Sequence, residues 1–365
     1  MDSPIAEEKC ILKLDVPRNG PFPKFQRPIV LGSFSLDRER VYCSDLSQLK
    51  YIKAPKNPKN VKFDLNDKLS DTIEKNEEIN EKLDNVLKWI SHNVKPPIDE
   101  RIGDIVCYRG LITTILCTPY ENQEGWIINA TKWNGVVYMC ASDTEEKKQR
   151  KKQATPHDKR FFHWGYKFEQ YMTAASPDAE PDLSVAQNQN EEFCVMFKSK
   201  LNLHRLMYGA EMDGVESSDV VKNLEDLQAA EFIELKTNRK IQHPKQAENF
   251  KKYKLIKWWC QSFLVGITKI WCGYRDDHGV IHQVEKMQVS DFPRKAKGIW
   301  DPALCMNFCD HFLTFVRDVV KEEEPHTVWQ FQWSPGEDIV GTKIPGPSEF
   351  SFVHNWFADN AKKHK

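Results

Sequence analysis

The chain contains no Cys-x-x-Cys pair, although it has 10 cysteines. They are scattered from Cys10 to Cys309, which argues against a zinc ribbon. Cys305 and Cys309 lie four apart in a helical-looking stretch and read as buried thiols on one helix face. No apolar run approaches the ~18 residues of a membrane-spanning helix. The opening MDSPIAEEKC has no basic segment followed by an apolar one, so no secretory signal is read there. The expectation is an intracellular protein with reduced thiols and no membrane partner. Neither sign of charge dominates, since 52 Lys and Arg oppose 53 Asp and Glu. A bulk polyanion binder is excluded by that balance, and any positive surface for nucleic acid must be local to a groove. Internal repeats are absent. Strands and helices do not alternate as clean βαβ units.

What is present is core and aromatic material. The 365 residues are 40% apolar, enough for a sizeable core, with 11 Trp and 20 Phe. At ~150 residues per domain the length allows two domains or one large α/β domain. Residues 1–20 read as a loose arm, 21–357 as the folded body with a charged insert at 141–160, and 358–365 as a basic tail. Pro21–Pro28 is extended and leads into a strand at Ile29–Leu31, with another short strand at Arg40–Tyr42. Ser70–Val94 is expected to be one helix. Ile73, Ile79, Leu83, Val86, Leu87 and Ile90 form its apolar stripe, Asp71 and Glu74 open it, and Pro96-Pro97 stop it. Two β-prone runs around Asn134-Gly135 predict a hairpin over Gly125–Met139. Further helices are expected at Gly165–Ala175, Ala247–Leu264 and Pro302–Lys321. Strands are expected near 193–197, 206–213, 231–236 and 270–274, and Ser176–Glu192 reads as a polar loop. The mixture favours an α/β (α+β) fold with a mixed sheet.

The chemistry concentrates in two short acidic pairs, Glu211-x-Asp213 and Glu234-x-Lys236. Residues i and i+2 of a strand share a face, so each pair would present its charges together while Ile233 and Leu235 face the core. Either pair alone also fits the solvated face of an edge strand. Together they suit Mg²⁺ or Mn²⁺, which take oxygen ligands. Two such ions ~3.5–4 Å apart activate water and stabilise a leaving oxygen, and Lys236 would orient the water or balance the phosphate. Glu169 stands beside Phe168 and Met172 on a helix, at the margin of an apolar face. Lys257 and Gln261 are i,i+4 neighbours that could hold a phosphate or a base. Trp258 and Trp259 read as core. Arg109, between Tyr108 and Gly110, is a candidate phosphate clamp. The basic run at Lys147, Lys148, Arg150, Lys151 and Lys152 reads as an import signal, an RNA-guiding arm or a solvated loop.

Taken in order, Gly165–Met172, Gly209–Gly214, Glu234–Thr237, Lys257–Leu264 and Cys305–Cys309 resemble the decapping and exoribonuclease (DXO) family. Pro21–Pro23, Arg27-Pro28, Gly32–Asp37, Thr118–Glu121 and Gln123–Trp126 are also similar to it, so the likeness runs from about Pro21 to near the C-terminus. The resemblance implies two twisted mixed β-sheets flanked by helices around an Asp/Glu-x-Lys nuclease-like core. It implies Mg²⁺- or Mn²⁺-dependent removal of incomplete, triphosphate or NAD-type caps from single-stranded RNA 5′ ends, and degradation of the RNA 5′→3′. Carried over by motif, Glu169, Glu211, Asp213, Glu234 and the Leu235 carbonyl would hold two metal ions. Glu234, Asp213, Lys236 and Gln261 would carry the chemistry, the last two at the scissile phosphate. Tyr108, Arg109 and Gly110 would hold RNA phosphates, with Tyr108 standing where some members have Trp. Arg40, Glu81 and Cys194 match substrate-touching positions. The family includes fungal nuclear proteins that partner a 5′–3′ exoribonuclease, so nuclear residence is expected, with the cytoplasm open, and a role mainly as a non-processive scaffold for such a nuclease is the alternative reading. The chain keeps every acid, which argues against a purely non-catalytic adaptor.

Overall fold

The computed structural model describes residues 8–14, 20–76, 78–94 and 102–362. Its strands, in chain order, are β1 (Lys9–Leu12), β2 (Phe25–Leu36), β3 (Tyr42–Cys43), β4 (Tyr51–Ile52), β5 (Phe63–Asp64) and β6 (Ile105–Tyr108). They continue as β7 (Trp126–Trp133), β8 (Val136–Ser142), β9 (Thr173–Ala174), β10 (Glu192–Leu201), β11 (His204–Glu211) and β12 (Gly214–Glu216). The last are β13 (Glu231–Arg239), β14 (Lys269–Arg275), β15 (Val280–Gln288), β16 (Val328–Trp333) and β17 (Ile339–Ile344). The helices are α1 (Asp84–Asn93), α2 (Arg109–Cys117), α3 (Glu145–Lys152), α4 (Pro156–Met172) and α5 (Leu224–Ala229). They continue as α6 (Pro244–Asn249), α7 (Ile256–Val265), α8 (Phe292–Lys295), α9 (Pro302–Val319) and α10 (Asn355–Lys362).

Two sheets organise these elements. The larger has ten strands in the order β1-β17-β16-β7-β8-β6-β11-β10-β2-β3, and the smaller has seven in the order β5-β15-β14-β13-β12-β4-β9. Both are mixed: β6 runs parallel to β8 and β11, and β13 parallel to β14. Period-2 alternation divides β10 between two cores. Phe193, Val195 and Phe197 join the core shared with α2, α7 and α9, whereas Cys194 and Met196 join the one shared with α1 and α10. In the smaller sheet, Ile233 and Leu235 of β13 pack with Trp164, Phe168 and Met172 of α4, while Phe232 belongs to the α7 side.

Several expectations hold. The β7–β8 hairpin turns on Asn134 and Gly135, both in the left-handed region at φ 56° and 80°, as a type I′ turn needs. Trp258 and Trp259 are buried, and so are Cys305 and Cys309. All ten cysteines are free thiols. Among the described residues no helix is long and apolar enough to cross a membrane.

Other expectations are corrected. The single helix at Ser70–Val94 is only α1, Asp84–Asn93, preceded by a 3-10 turn at Leu69–Asp71. Ile73 is instead bridged to Asn188, and Ile79 is exposed, so the first half of the stripe has no core to face. Pro96-Pro97 lie outside the described residues. Within the expected loose arm, Lys9–Leu12 pairs antiparallel with β17 and forms the edge of the larger sheet. The charged insert is helical: Thr144 caps α3, and a Thr155–Asp158 capping box starts α4. The helix at Ala247–Leu264 is α6 and α7 joined by a π turn at Phe250–Leu255. Residues 358–362 of the basic tail belong to α10, and the rest lies outside the described residues.

The seat of α4 depends on a missing side chain. A Cβ at Gly273 would lie 2.8 Å from the Phe168 ring and 2.5 Å from Ile281 Cδ1. Phe168 is fully buried and has little room to retreat. Gly273→Ala is therefore expected to cost about 1–3 kcal/mol through overpacking. A urea midpoint equal to wild type would show that α4 accommodates the methyl.

Candidate active site

The site forms where the chain leaves one sheet for the other. Glu211 is the last residue of β11 in the larger sheet, and Gly214 opens β12 in the smaller. Met212 N–H still donates to the Phe193 carbonyl (2.9 Å), and the Met212 side chain is buried. Asp213 therefore lies in the crossover, and its Oδ2 accepts from Leu235 N–H on β13 at 2.6 Å. This corrects the expectation of one strand face: Glu211 ends a strand of the larger sheet, Asp213 lies in the crossover after it, and that crossover brings Asp213 to β13.

Glu234 and Lys236 behave as i,i+2 neighbours should. Lys236 Nζ donates to Glu234 Oε1 at 2.5 Å. Glu234 is only 3% exposed, and its Oε2 has no hydrogen-bond partner. Arg109 Nη1 faces that oxygen at 3.8 Å and is itself buried and unpartnered. Arg109 Nη2 donates to the Glu211 carbonyl at 3.3 Å. The arginine reaches this place because α2 starts directly after β6, with Tyr108 extended and offering no side-chain cap. Glu169 arrives from α4, whose Phe168 and Met172 anchor it over β13. A buried cationic donor and a buried carboxylate oxygen, each lacking a partner, face one another across an acid-rich cleft.

Electrostatics describe a cluster short of positive charge. Burial, then Asp213 and Glu211, pushes the Glu169 carboxyl well above its usual range. Burial, then Glu192 and Asp213, raises Glu211 to about 8. Burial, then Glu234, raises Asp213 to about 6, against the opposing Lys236 and the Leu235 amide. Glu234 alone of the four goes down: burial opposes this, but Lys236 and Arg109 hold it ionised. Lys236 rises in turn, because Glu234 and Asp213 outweigh its burial. Among the described residues no three acidic, histidine or cysteine side chains are gathered closely enough to hold a metal ion as they stand. The acids raise one another's titration, and a divalent cation has the charge to reverse that. The donor set fits such an ion: carboxylate oxygens in excess, one of them buried and unsatisfied.

The other sequence-predicted residues fall into place unevenly. Arg40, at φ 62°, forks onto Glu81 at 2.6 and 2.7 Å, and reaches Glu192 at 2.9 Å and the Asn190 carbonyl at 3.0 Å. With Tyr108 this group lines a cavity of about 830 Å³. Gly110 and Gln261 line a separate one of about 280 Å³. Cys194 is opposite Glu211 in the β10–β11 register, but its thiol is fully buried toward α1, which leaves only its backbone near the cleft. Sequence reasoning missed Glu192 and Tyr166. Glu192 shares a strand face with Cys194 at i,i+2, the one signal that pointed to it. Tyr166 precedes Glu169 by three, on the same helical face, and lines an acidic cavity of about 330 Å³ with Glu169, Glu211 and Asp213.

The chain is similar to known proteins in sequence and in fold. The "Decapping and exoribonuclease protein" of Xenopus laevis is 36% identical over 359 residues, covering 93% of this chain and 88% of the relative. Among solved structures, Candida albicans Rai1 in complex with pU5-Mn²⁺ superposes with a TM-score of 0.84 at 20% identity, covering 98% of this chain and 100% of the other. Scheffersomyces stipitis Rai1 in complex with (3′-NADP)⁺ and calcium ion gives 0.81 at 21% identity, covering 94% and 98%. These two likenesses concern the fold. The family model described as "RAI1 like PD-(D/E)XK nuclease" matches residues 26–358. Asp213 with Glu234-x-Lys236 follows the acid and acid-x-Lys order of that description, and the chain belongs to the RAI1-like PD-(D/E)XK nuclease family.

Proposed function

We propose that this chain is a divalent-metal-dependent hydrolase of RNA 5′ ends. It removes incomplete, triphosphate or NAD-type caps and degrades the exposed RNA 5′→3′. The observation that carries the reading is the cation-poor acid cluster at the sheet crossover, set in a member of a nuclease family. Glu169, Glu211, Asp213, Glu234 and the Leu235 carbonyl are assigned to two ions, Mg²⁺ or Mn²⁺. When bound, the ions supply the charge that ionises a water near neutral pH and stabilises the leaving oxygen. The protein's own groups do the rest. Arg109, unpartnered at Nη1, takes a phosphate oxygen with its planar fork. Lys236 and Gln261 orient the scissile phosphate and the attacking water, while Tyr108 and Gly110 border the phosphate path. Arg40 holds Glu81 in place as a carboxylate acceptor for a nucleoside, and Cys194 contributes backbone only. Solved relatives carrying pU5, (3′-NADP)⁺ and 3′-FADP support an RNA or cap-like ligand.

The test is direct. Purified protein with Mg²⁺ is incubated with RNAs bearing 5′-monophosphate, triphosphate, guanosine cap or NAD cap. Released group and remaining length are both read. No release from any of them would sink the proposal. Nuclear residence is proposed as well, on the basic run of α3, and a fluorescent fusion tests it. Pairing with a nuclear 5′–3′ exoribonuclease is tested by co-purification.

The raised carboxyls fix the sign of a pH effect. Glu211 and Asp213 titrate higher in the folded chain than in the unfolded one. Their contribution to stability is therefore complete below pH ~4 and is lost as pH rises through about 6 and 8. A bound divalent cation displaces those protons and reverses the loss. The rise in Tm on adding Mg²⁺ is expected to be larger at pH 8.5 than at pH 5.5. A metal-induced shift equal at both pH values would contradict the assignment.

A further inference from the structure

Two family-like loop motifs, Thr118–Glu121 and Gln123–Trp126, have no role in the reaction as proposed. Both build one wall of the cavity of about 280 Å³ that begins at Gly110 and Gln261. Trp126 Nε1 donates to Thr118 Oγ1 at 3.0 Å, closing the loop on itself. Glu121 Oε1 accepts from the backbone N–H groups of Asn122, Gln123 and Glu124 at 3.0, 2.9 and 3.4 Å. Its other oxygen faces Lys257 Nζ at 3.6 Å. The locked carboxylate thus aims the lysine without a tight bond. Glu124, the second acid of this wall, is bound by Arg150 of α3.

Charge separates this cavity from its neighbours. The one beside Glu169 and Glu211 has six acids against a single lysine. The one around Arg40 has six acids against five bases, with Arg40 already held by two carboxylates. Here two acids meet two lysines: Glu124 is held by Arg150, Lys147 by Asp143 at 2.6 Å, and Lys257 has only the loose contact with Glu121. The uncapped first turn of α2 adds its positive end. Lys257 precedes Gln261 by four residues on α7, ~6 Å along the axis. It is half exposed, and Gln261, which lines the same cavity, has the amide that the proposed reaction assigns to the scissile phosphate.

We infer that this cavity receives the RNA strand downstream of the 5′ end, with Lys257 gripping a backbone phosphate and Glu121 positioning Lys257. The inference rests on the RNA reading above. Carboxylates of Glu81 and Glu192 in the Arg40 cavity accept from hydroxyl and amino groups, which suits the 5′ nucleoside, so the polyanionic body takes the other side.

Binding separates the two claims because it needs no turnover. Fluorescence anisotropy in Ca²⁺ compares a 5′-monophosphorylated ten-nucleotide oligouridylate with the matching dinucleotide. Lys257→Ala is expected to weaken the ten-mer by about 5- to 10-fold, a charge-assisted contact's worth. The slope of log affinity against log salt should shrink by ~0.7 for one lost phosphate contact. The dinucleotide should change less than about twofold. Glu121→Gln should give a smaller loss of the same kind, and Lys200→Ala, at the far end of β10, none. Equal losses on both ligands, or an unchanged salt slope, overturn the inference. Lys257-dependent binding by a protein that releases no 5′ group would overturn the reaction and keep the strand path.

Discussion

Glu234→Gln is expected to lower metal-dependent release of the RNA 5′ group by about 10³-fold or more while leaving the chain folded. The residue lies in the middle of β13, paired to Ile270 of β14 and nearly inaccessible. Its two oxygens have different tasks: Oε1 holds Lys236, and Oε2 is the unsatisfied one beside Arg109. Glutamine keeps the shape and one acceptor but removes the charge that an ion needs. Alanine is a poorer test. It would strand Arg109 as a buried cation beside a half-buried Lys236, and breaking a buried pair costs about 3–5 kcal/mol, although relief of repulsion with Asp213 and Glu211 offsets part of it. The measurement is product release beside a urea midpoint. Activity within tenfold of wild type in a folded Glu234→Gln protein would remove Glu234 from the site.

The acids were legible because chemistry constrains them locally. Glu234-x-Lys236 needed only the period of a strand, and Glu169 only the apolar margin of a helix. Glu211-x-Asp213 was read as a pair on one face, and the fold does bring the two residues to β13 and Arg109, but through a different geometry. Their actual juxtaposition comes from the jump between sheets at Met212, and a tertiary crossing leaves no periodic mark. Ser70–Val94 failed for the same kind of cause. Helical spacing at Ile73 and Ile79 competes with the pull of Glu81 toward Arg40 and the bridge of Ile73 to Asn188, both long-range. In the charged insert, the absence of an apolar period was real, but Thr144 and Thr155 were cap signals strong enough to start helices without one. Glu192 escaped notice because it closes a polar loop, where an acid carries no information until Arg40 is placed against it.

The cluster is an example of local inconsistency that function requires. Three carboxyls held above their usual range weaken the fold at neutral pH, and the surrounding core supplies the compensation. Phe168, Met172, Ile233 and Leu235 fix α4 to β13, so the helix that carries Glu169 stays on the sheet against the repulsion of its acids.

Lys236→Met is expected to separate binding from chemistry in the opposite sense to Glu234→Gln. Methionine keeps most of the side-chain volume and removes the cation hydrogen-bonded to Glu234. The carboxyl of Glu234, held low by Lys236 against its burial, then rises toward its acidic neighbours. At pH 8.5 the site is one positive charge poorer than wild type among the same carboxyls and should bind Mg²⁺ at least as well. Turnover should fall by about 10²–10⁴-fold, since Gln261 is left to orient the water without the lysine's charge beside the phosphate. Metal titration followed by Tm, beside single-turnover release of the 5′ group, reads both quantities. In Glu234→Gln metal affinity and turnover should fall together, and in Lys236→Met only turnover should. A joint loss in Lys236→Met would mean that the lysine serves to assemble the carboxylates rather than to act on the phosphate.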